Sequence, residues 1–401
     1  MTEKRGSIGA VLRDVFPSWT LTLLVALFVH WFLREQVLDA YPVPTPSMEP
    51  TIEGETQGGD YVLVDKTADQ LRNPRRHDMV VFRGAETNKI LVKRVLGLGG
   101  EFIRIRNYDI EVGRTPETMQ AVVKLPARDR DLLVSYWDSA AEPWGSFWRI
   151  SKRWKRLGST LALDEPGTGE LFEQTDHGRR GQFAAWDLHL QRTINTGYVD
   201  GFGRRQEHNV PAFDIGASIV VSAQPETKLW IALRYGRGYW ALRYDGAGEA
   251  SFWIDGKSSG DPLVVPGLAP DSATEIVFVY LDGAFRVAVD NQDIGSFRVP
   301  FHDLQFKSEI RSPNGIEFAV RDGAARLERL EILHDFHYVD RPGGYACSEP
   351  YAIPKDHYFV LGDNSPNSTD SRKWGGIPAE DIVGRPLAIG APWKRRRWLT
   401  R

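Results

Sequence analysis

Residues 89–97 read Lys-Ile-Leu-Val-Lys-Arg-Val-Leu-Gly, an apolar run broken by two adjacent basic residues. Branched apolar side chains closed by a glycine predict a β-strand. Runs of the same kind flank it: DYVLVDK at 60–66, DMVVFRG at 78–84 and EFIRIR at 101–106. Together they predict an antiparallel sheet. Matching runs return only near the end, with HYFVLGDN at 357–364 and IVGRPLAIG at 382–390, so the residues between read as an insertion into one β domain. Strand alternation sends Lys93 to one face with Leu91 and Val95, and sends Val92 and Arg94 to the other.

Upstream of these strands, Val15 to Leu33 are nineteen consecutive uncharged residues between Asp14 and Arg34. As a helix they span roughly 28 Å, close to the hydrocarbon thickness of a bilayer. Trp19 and Trp31 sit near the two ends as interfacial residues do. Lys4, Arg5 and Arg13 precede the run while Arg34 follows it, so the amino terminus is expected on the cytoplasmic side. The stretch REQVLDAYPVPTP offers no good small-x-small cleavage site, which favours an uncleaved anchor over a signal peptide.

The whole chain has 401 residues, 42% hydrophobic and 26% charged, a balance that excludes a disordered, collagenous or polytopic membrane protein. Fifty basic and fifty-three acidic residues leave a formal charge of −3, so no global field favours nucleic acid. The single cysteine, Cys347, excludes a disulfide framework within the chain and a CxxC metal site. No HExxH spacing occurs, and neither a metal nor a cofactor is expected.

The insertion, residues 107–345, contains eight of the thirteen tryptophans. It is also rich in strand-like runs, among them AAWDLHLQ, KLWIALRY, GYWALRY, EIVFVYLDG and GIEFAVRDG. Turn signals such as YDGAGE, LDGA and RDGA separate them at near-regular spacing. Many short strands with Gly and Asp turns predict a β-sandwich. The turn rhythm resembles concanavalin-like and laminin-G-like jelly rolls. The expected division is therefore 1–14 cytoplasmic, 15–34 transmembrane, 35–106 and 346–392 the two parts of one catalytic β domain, 107–345 the insertion, and 393–401 a basic tail. That tail, APWKRRRWL with its flanking tryptophans, reads equally as a lipid-headgroup contact and as a solvated terminus.

Three separated segments carry the chemistry. They are Pro44-Thr45-Pro46-Ser47-Met48-Glu49-Pro50-Thr51, then Val92-Lys93-Arg94-Val95, then Gly362-Asp363-Asn364 continuing through Ser368, Asp370 and Arg372. In order and in residue identity they resemble the type I signal peptidases, and GDYVLVDK at 59–66 resembles that family's intervening strand. The sequence departs from the family pattern at Gly99 and at Ser365-Pro366, which are turn positions.

A serine hydroxyl needs a nearby base to attack a carbonyl. The nine histidines are scattered and none fits that role, which leaves lysine, and serine–lysine variants of the catalytic triad exist. Lysine is protonated in water, but an apolar surrounding disfavours the ammonium and lowers its pKa. Lys93, flanked by Ile90, Leu91, Val92, Val95 and Leu96, has such a surrounding, and an arginine there would stay charged.

The resemblance implies further roles. Ser47 is the nucleophile and Lys93 its base, with Ser368 orienting the lysine. Thr45 and the Ser47 backbone N–H form the oxyanion hole. Asp370 and Arg372 are a structural ion pair beside the Gly362-Asp363-Asn364 loop, and Tyr41, Val43, Ile52 and Val92 line shallow substrate pockets. It implies cleavage after Ala-x-Ala in translocated preproteins, at the outer face of the bacterial cytoplasmic membrane, by a single-pass enzyme. The bilayer, signal peptides and the protein translocation machinery are the implied partners, along with a glycan or protein ligand for the insertion. The competing reading is a membrane-anchored carbohydrate-binding or adhesion protein with a degenerate peptidase domain, although every expected catalytic group is present. A self-cleaving repressor-type peptidase would need no anchor.

Overall fold

The computed structural model describes residues 18–54, 59–68, 72–85, 88–142, 144, 148–164, 188–190, 194–199, 205–206, 212–235, 238–299 and 315–399. Lys4, Arg5, Arg13, the first residues of the anchor, and most of AAWDLHLQ lie outside them. The chain divides into two units, one comprising 1–101, 351–363 and 367–401, the other 102–350 and 364–366.

In the first unit, helix α1 (Ser18–Phe32) runs into a π turn at Leu33–Val37. Thr20–Val37 is long and apolar enough to cross a membrane, and none of that span is buried in protein. Leu21, Leu23, Leu24 and Val29 are exposed on all sides of the helix, which would be costly in water and is the normal state in lipid. Strand β1 (Leu38–Pro42) follows the π turn directly and pairs antiparallel with β2 (Tyr61–Asp65).

The same sheet also contains β3 (Met79–Arg83), β4 (Ile90–Leu98), β5 (His357–Leu361), β6 (Ile377–Pro378), β7 (Ile382–Ala391) and β8 (Arg397–Trp398). Their order is β1-β2-β7-β3-β4-β5-β6, all antiparallel, with β8 on the side of β7. Thus β4 is held by β3 from before the insertion and by β5 from after it, as the matching runs at the two ends predict. Alternation along β4 feeds two cores. Ile90 and Val92 pack with Val43, Met48, Ile52, Val62 and Val64, while Leu91 and Val95 pack with Val80, Phe82 and Val360. Each such side chain fully removed from water contributes about 1.5–3 kcal/mol, so the register of β4 is strongly determined.

The basic tail belongs to this sheet. Trp393–Arg395 forms a 3-10 turn, Arg397–Trp398 is β8, and Arg395 is buried, so residues 393–398 are neither a frayed end nor wholly a surface patch.

The second unit is a β-sandwich. One sheet includes Ile215–Ala223, Thr274–Leu281, Ala284–Val289, Gln292–Arg298 and Ala325–Asp335. The other contains Lys228–Tyr235, Gly238–Asp245, Glu249–Ile254, Lys257–Val264 and Gly315–Arg321. Their inner faces share one core that includes Trp137, Trp144, Trp148, Trp154, Ile219, Ile231, Phe278 and Phe318. The turn signals are used as turns. Asp282 and Asp322, in LDGA and RDGA, adopt φ of 49° and 62°, a left-handed conformation that aspartate tolerates.

The division at 106/107 is corrected by the structure. Phe102–Arg106 forms a hairpin with Asp109–Gly113 inside the second unit, so EFIRIR is not a strand of the catalytic sheet. The tight turn at Asn107-Tyr108, both at positive φ, pairs this run with its immediate successor.

Candidate active site

Proline sets the backbone around Ser47. Pro44 and Pro46 restrict the residues before them to extended conformations, and Thr45 is extended at φ −136°, ψ 150°. Pro46–Met48 then makes a single 3-10 turn, closed by Glu49 N–H donating to the Pro46 carbonyl. Ile52 N–H donates to the Met48 carbonyl, and the Met48 and Ile52 side chains, both fully buried, anchor the loop in the core.

Lys93 Nζ lies 2.6 Å from Ser47 Oγ, as a donor, and 2.9 Å from the Val92 carbonyl. Both side chains are buried, at 6% exposure for Ser47 and 3% for Lys93. Burial disfavours the ammonium and pushes the Lys93 pKa down to about 8. The carboxylates of Asp370 and Asp363 pull it upward, and Arg372 pushes it down. Thr45 Oγ1 donates to Ser47 Oγ across 3.2 Å, so the hydroxyl expected for the oxyanion hole adjoins the nucleophile.

Gly362 packs against this pair so closely that only a glycine fits. A Cβ there would fall 2.3 Å from the Ser47 carbonyl oxygen and 2.3 Å from Ser368 Oγ. Ser368, 1% exposed, is therefore adjacent to the Ser47 backbone. Asp370 and Arg372 form a two-pronged ion pair, Nε to Oδ1 at 2.8 Å and NH2 to Oδ2 at 2.7 Å, with both side chains wholly buried. Asp370 also accepts from Gly362 N–H and caps the short helix α2 (Ser371–Trp374), so the pair holds the glycine in place. Asn364 falls in the second unit. Val43 and Ile52 are buried in the cluster under the Ser47 loop, while Tyr41 and Val92 are half-buried at its margin.

Two contributors were not assigned roles from the sequence. Arg94 forks onto Asp363, at 2.8 and 2.6 Å, and donates to the His77 carbonyl. Thr51 Oγ1 donates to Asp363 Oδ2 at 2.5 Å, tying the Ser47 loop to the Gly362-Asp363 loop. The signal for Arg94 was its place beside Lys93 in an apolar strand, since a buried arginine requires an acid partner.

The second unit contains a separate cluster. Asp109, Asp214, Asp282 and Asp335 bring carboxylate oxygens within 4.8 Å of one another. Lys124 Nζ sits between two of them, 2.7 Å from Asp282 and 2.8 Å from Asp335. Burial pushes Asp109 and Asp214 well above the usual carboxylate range, reinforced by their acidic neighbours, and pushes Asp335 up to about 6 against the pull of Lys124. The Lys124 ammonium survives its own burial because Asp282, Asp335 and Asp109 surround it. The cluster is thus compensated internally, by one ammonium and by retained protons. The five positions, spread over more than two hundred residues, share no local motif.

Residues 16–134 and 322–390 match the family described as signal peptidase, peptidase S26, in two parts separated by the insertion. Among its relatives, thylakoidal processing peptidase 1 of Arabidopsis thaliana is 41% identical over 20% of this chain and 23% of its own length. A probable signal peptidase I-2 of Synechocystis is 39% identical over 25% of this chain and 44% of its own length. The chain thus spans a quarter to under half the length of these curated relatives. The structure is also similar to a Bacillus subtilis protein with a galectin-like fold, at 9% identity, over 50% of this chain and 96% of that one, with a TM-score of 0.32.

Proposed function

We propose that this chain is a membrane-anchored serine endopeptidase that removes signal peptides from translocated preproteins, cleaving after small residues of the Ala-x-Ala type. The observation that carries this reading is the 2.6 Å contact between a buried lysine and Ser47. A neutral Lys93 amine accepts the Ser47 hydroxyl proton as Oγ attacks the scissile carbonyl carbon. The negative charge that develops on the carbonyl oxygen is met by the Ser47 N–H and the Thr45 hydroxyl. The Lys93 ammonium then gives its proton to the leaving amine as the C–N bond breaks. Water attacks the resulting ester, with Lys93 again accepting the proton, and the signal peptide is released with Ser47 restored.

Ser368 orients the lysine, and the Asp370–Arg372 and Arg94–Asp363 pairs hold the two loops at the required spacing. Tyr41, Val43, Ile52 and Val92 border pockets for small side chains. The apolar span beginning at Thr20 leads into β1, so Ser47 lies only ten residues beyond its end, close to the membrane surface. With basic residues before the span, this corresponds to the outer face of the bacterial cytoplasmic membrane, where the translocation machinery delivers preproteins.

The test is cleavage of an Ala-x-Ala preprotein by the purified full chain in detergent, beside Ser47→Ala and Lys93→Met. Wild type cleaves, and each variant is inactive with its circular dichroism unchanged. Cleavage by either folded variant overturns the assignment of the pair.

A further inference from the structure

The loop that carries Ser47 is braced from beneath by residues far from it in sequence. Gly54 packs onto the backbone just before the serine. A Cβ at Gly54 would lie 2.6 Å from the Thr45 carbonyl carbon and 2.7 Å from Pro46 N, so the chain at 53–54 forms the floor under Thr45 and Ser47. That floor is held by carboxylates. Gly54 N–H donates to Glu49 Oε1, Glu53 N–H donates to Asp60 Oδ2, and Val43 N–H donates to the Asp60 carbonyl. Asp60 and Glu53 are 0% and 1% exposed.

Two acids this deeply buried demand a cation, and the chain supplies it from its far end. Arg395 forks onto Asp60 with both distances 2.7 Å, Nε to Oδ1 and NH2 to Oδ2, and approaches Glu53 Oε1 at 3.5 Å. Arg397 then donates to the Thr51 carbonyl at 2.5 Å. The 3-10 turn at Trp393–Arg395 and its pairing strand β8 on β7 fix these two side chains in place.

We propose that Arg395 is a positioning residue for the nucleophile: its fork on Asp60 and Glu53 holds the floor at Glu53-Gly54 and thereby the backbone of Thr45 and Ser47. This inference rests on the reading of Ser47 and Lys93 as the reacting pair. A planar guanidinium satisfies both oxygens of Asp60 at fixed angles, and an ammonium cannot. Without the fork Asp60 and Glu53 lose the guanidinium that contacts them both, the floor moves, and the Ser47 N–H and Thr45 hydroxyl move with it. Lys93 is carried by β4 and keeps its surroundings. Its protonation behaviour is therefore preserved while the geometry of attack is lost.

The experiment compares the full chain in detergent micelles with Arg395→Met and Arg395→Lys. Below the melting temperature, Arg395→Met is expected to lower kcat by about tenfold to a hundredfold, the cost of an ångström-scale misplacement. KM changes less than about twofold, and the ascending, acid-side limb of the pH–rate profile stays where it is in wild type. Arg395→Lys keeps the melting temperature closer to wild type and recovers only part of kcat. Amide hydrogen exchange at residues 47–54 is expected to speed up in both variants, a readout that needs no substrate. Wild-type kcat in either folded variant overturns the proposal, as does unchanged exchange in the loop. If Arg395→Met fails to fold, Arg395→Lys carries both measurements. Failure of the functional reading looks different: wild type would not cleave the preprotein, or Ser47→Ala would, whatever the exchange data say.

Discussion

The proposed mechanism requires a neutral lysine, and the structure specifies the pH at which it becomes available. Burial places the Lys93 pKa at about 8. The neutral fraction is then about 1% at pH 6, about 10% at pH 7 and about 90% at pH 9. The perturbation is pH alone, and the readout is kcat/KM for an Ala-x-Ala preprotein in detergent between pH 6 and pH 10. Activity should rise close to tenfold per pH unit below pH 7.5 and level off above pH 9. The same burial leaves a mark on stability. The folded value lies below the unfolded value of 10.5, so the unfolded chain binds more protons between about pH 8 and 10.5, and the fold gains stability as pH rises through that window. Below pH 8 the buried ammonium costs on the order of 3 kcal/mol. Lys93→Met should therefore be inactive yet more stable than wild type at pH 7, with the advantage fading by about pH 10.5. A rate profile flat from pH 6 to 8, or a limb centred near 10, would refute the claim that Lys93 is a desolvated base, as would a Lys93→Met protein less stable than wild type at pH 7.

Other perturbations test separate parts of the site. Thr45→Val removes one hydroxyl donor, and kcat should fall about a hundredfold to a thousandfold with KM little changed, whereas Thr45→Ser should keep most activity. Gly362→Ala places a methyl group 2.3 Å from the Ser47 carbonyl oxygen, a backbone atom that cannot rotate aside, so the full chain should lose cleavage by at least a hundredfold. In the insertion, Lys124→Met leaves Asp282 and Asp335 without their ammonium; denaturant unfolding followed by tryptophan fluorescence should register a loss of about 3–5 kcal/mol. An unchanged midpoint would mean that retained protons alone balance the cluster.

Much of this arrangement was legible along the chain. The apolar run before Arg34, the strand runs on either side of the insertion and the Asp-Gly turns of the sandwich are local patterns, because helix and strand periodicity and turn chemistry act over a few residues. The candidate pair was suggested by the resemblance of the Ser47, Lys93 and Gly362 segments to the type I signal peptidases, together with the apolar neighbours Ile90, Leu91, Val92, Val95 and Leu96 of the lysine. The misplacement of EFIRIR has the same origin: alternation identifies a strand but not its partner, and a tight turn at Asn107-Tyr108 sent it to the second unit. The tail shows the limit more sharply. A run of one lysine and three arginines looks like a solvated or lipid-facing patch, yet Arg395 is buried against Asp60, 335 positions earlier.

Residue types and local spacing, then, were enough to fix which elements form and that a second β-rich body interrupts the first, while the candidacy of Ser47 and Lys93 came from the resemblance of three separated segments to a known family. They could not say that Lys93 Nζ meets Ser47 Oγ, or that Arg94 forks onto Asp363 269 positions away. Those meetings depend on strand order and register, and they form only when the sheet closes across the insertion. Burial then makes them consequential: a lysine that would be an inert ammonium in water, and arginines that would be surface charge, acquire their roles because the folded chain takes them out of water and leaves each with a particular neighbour.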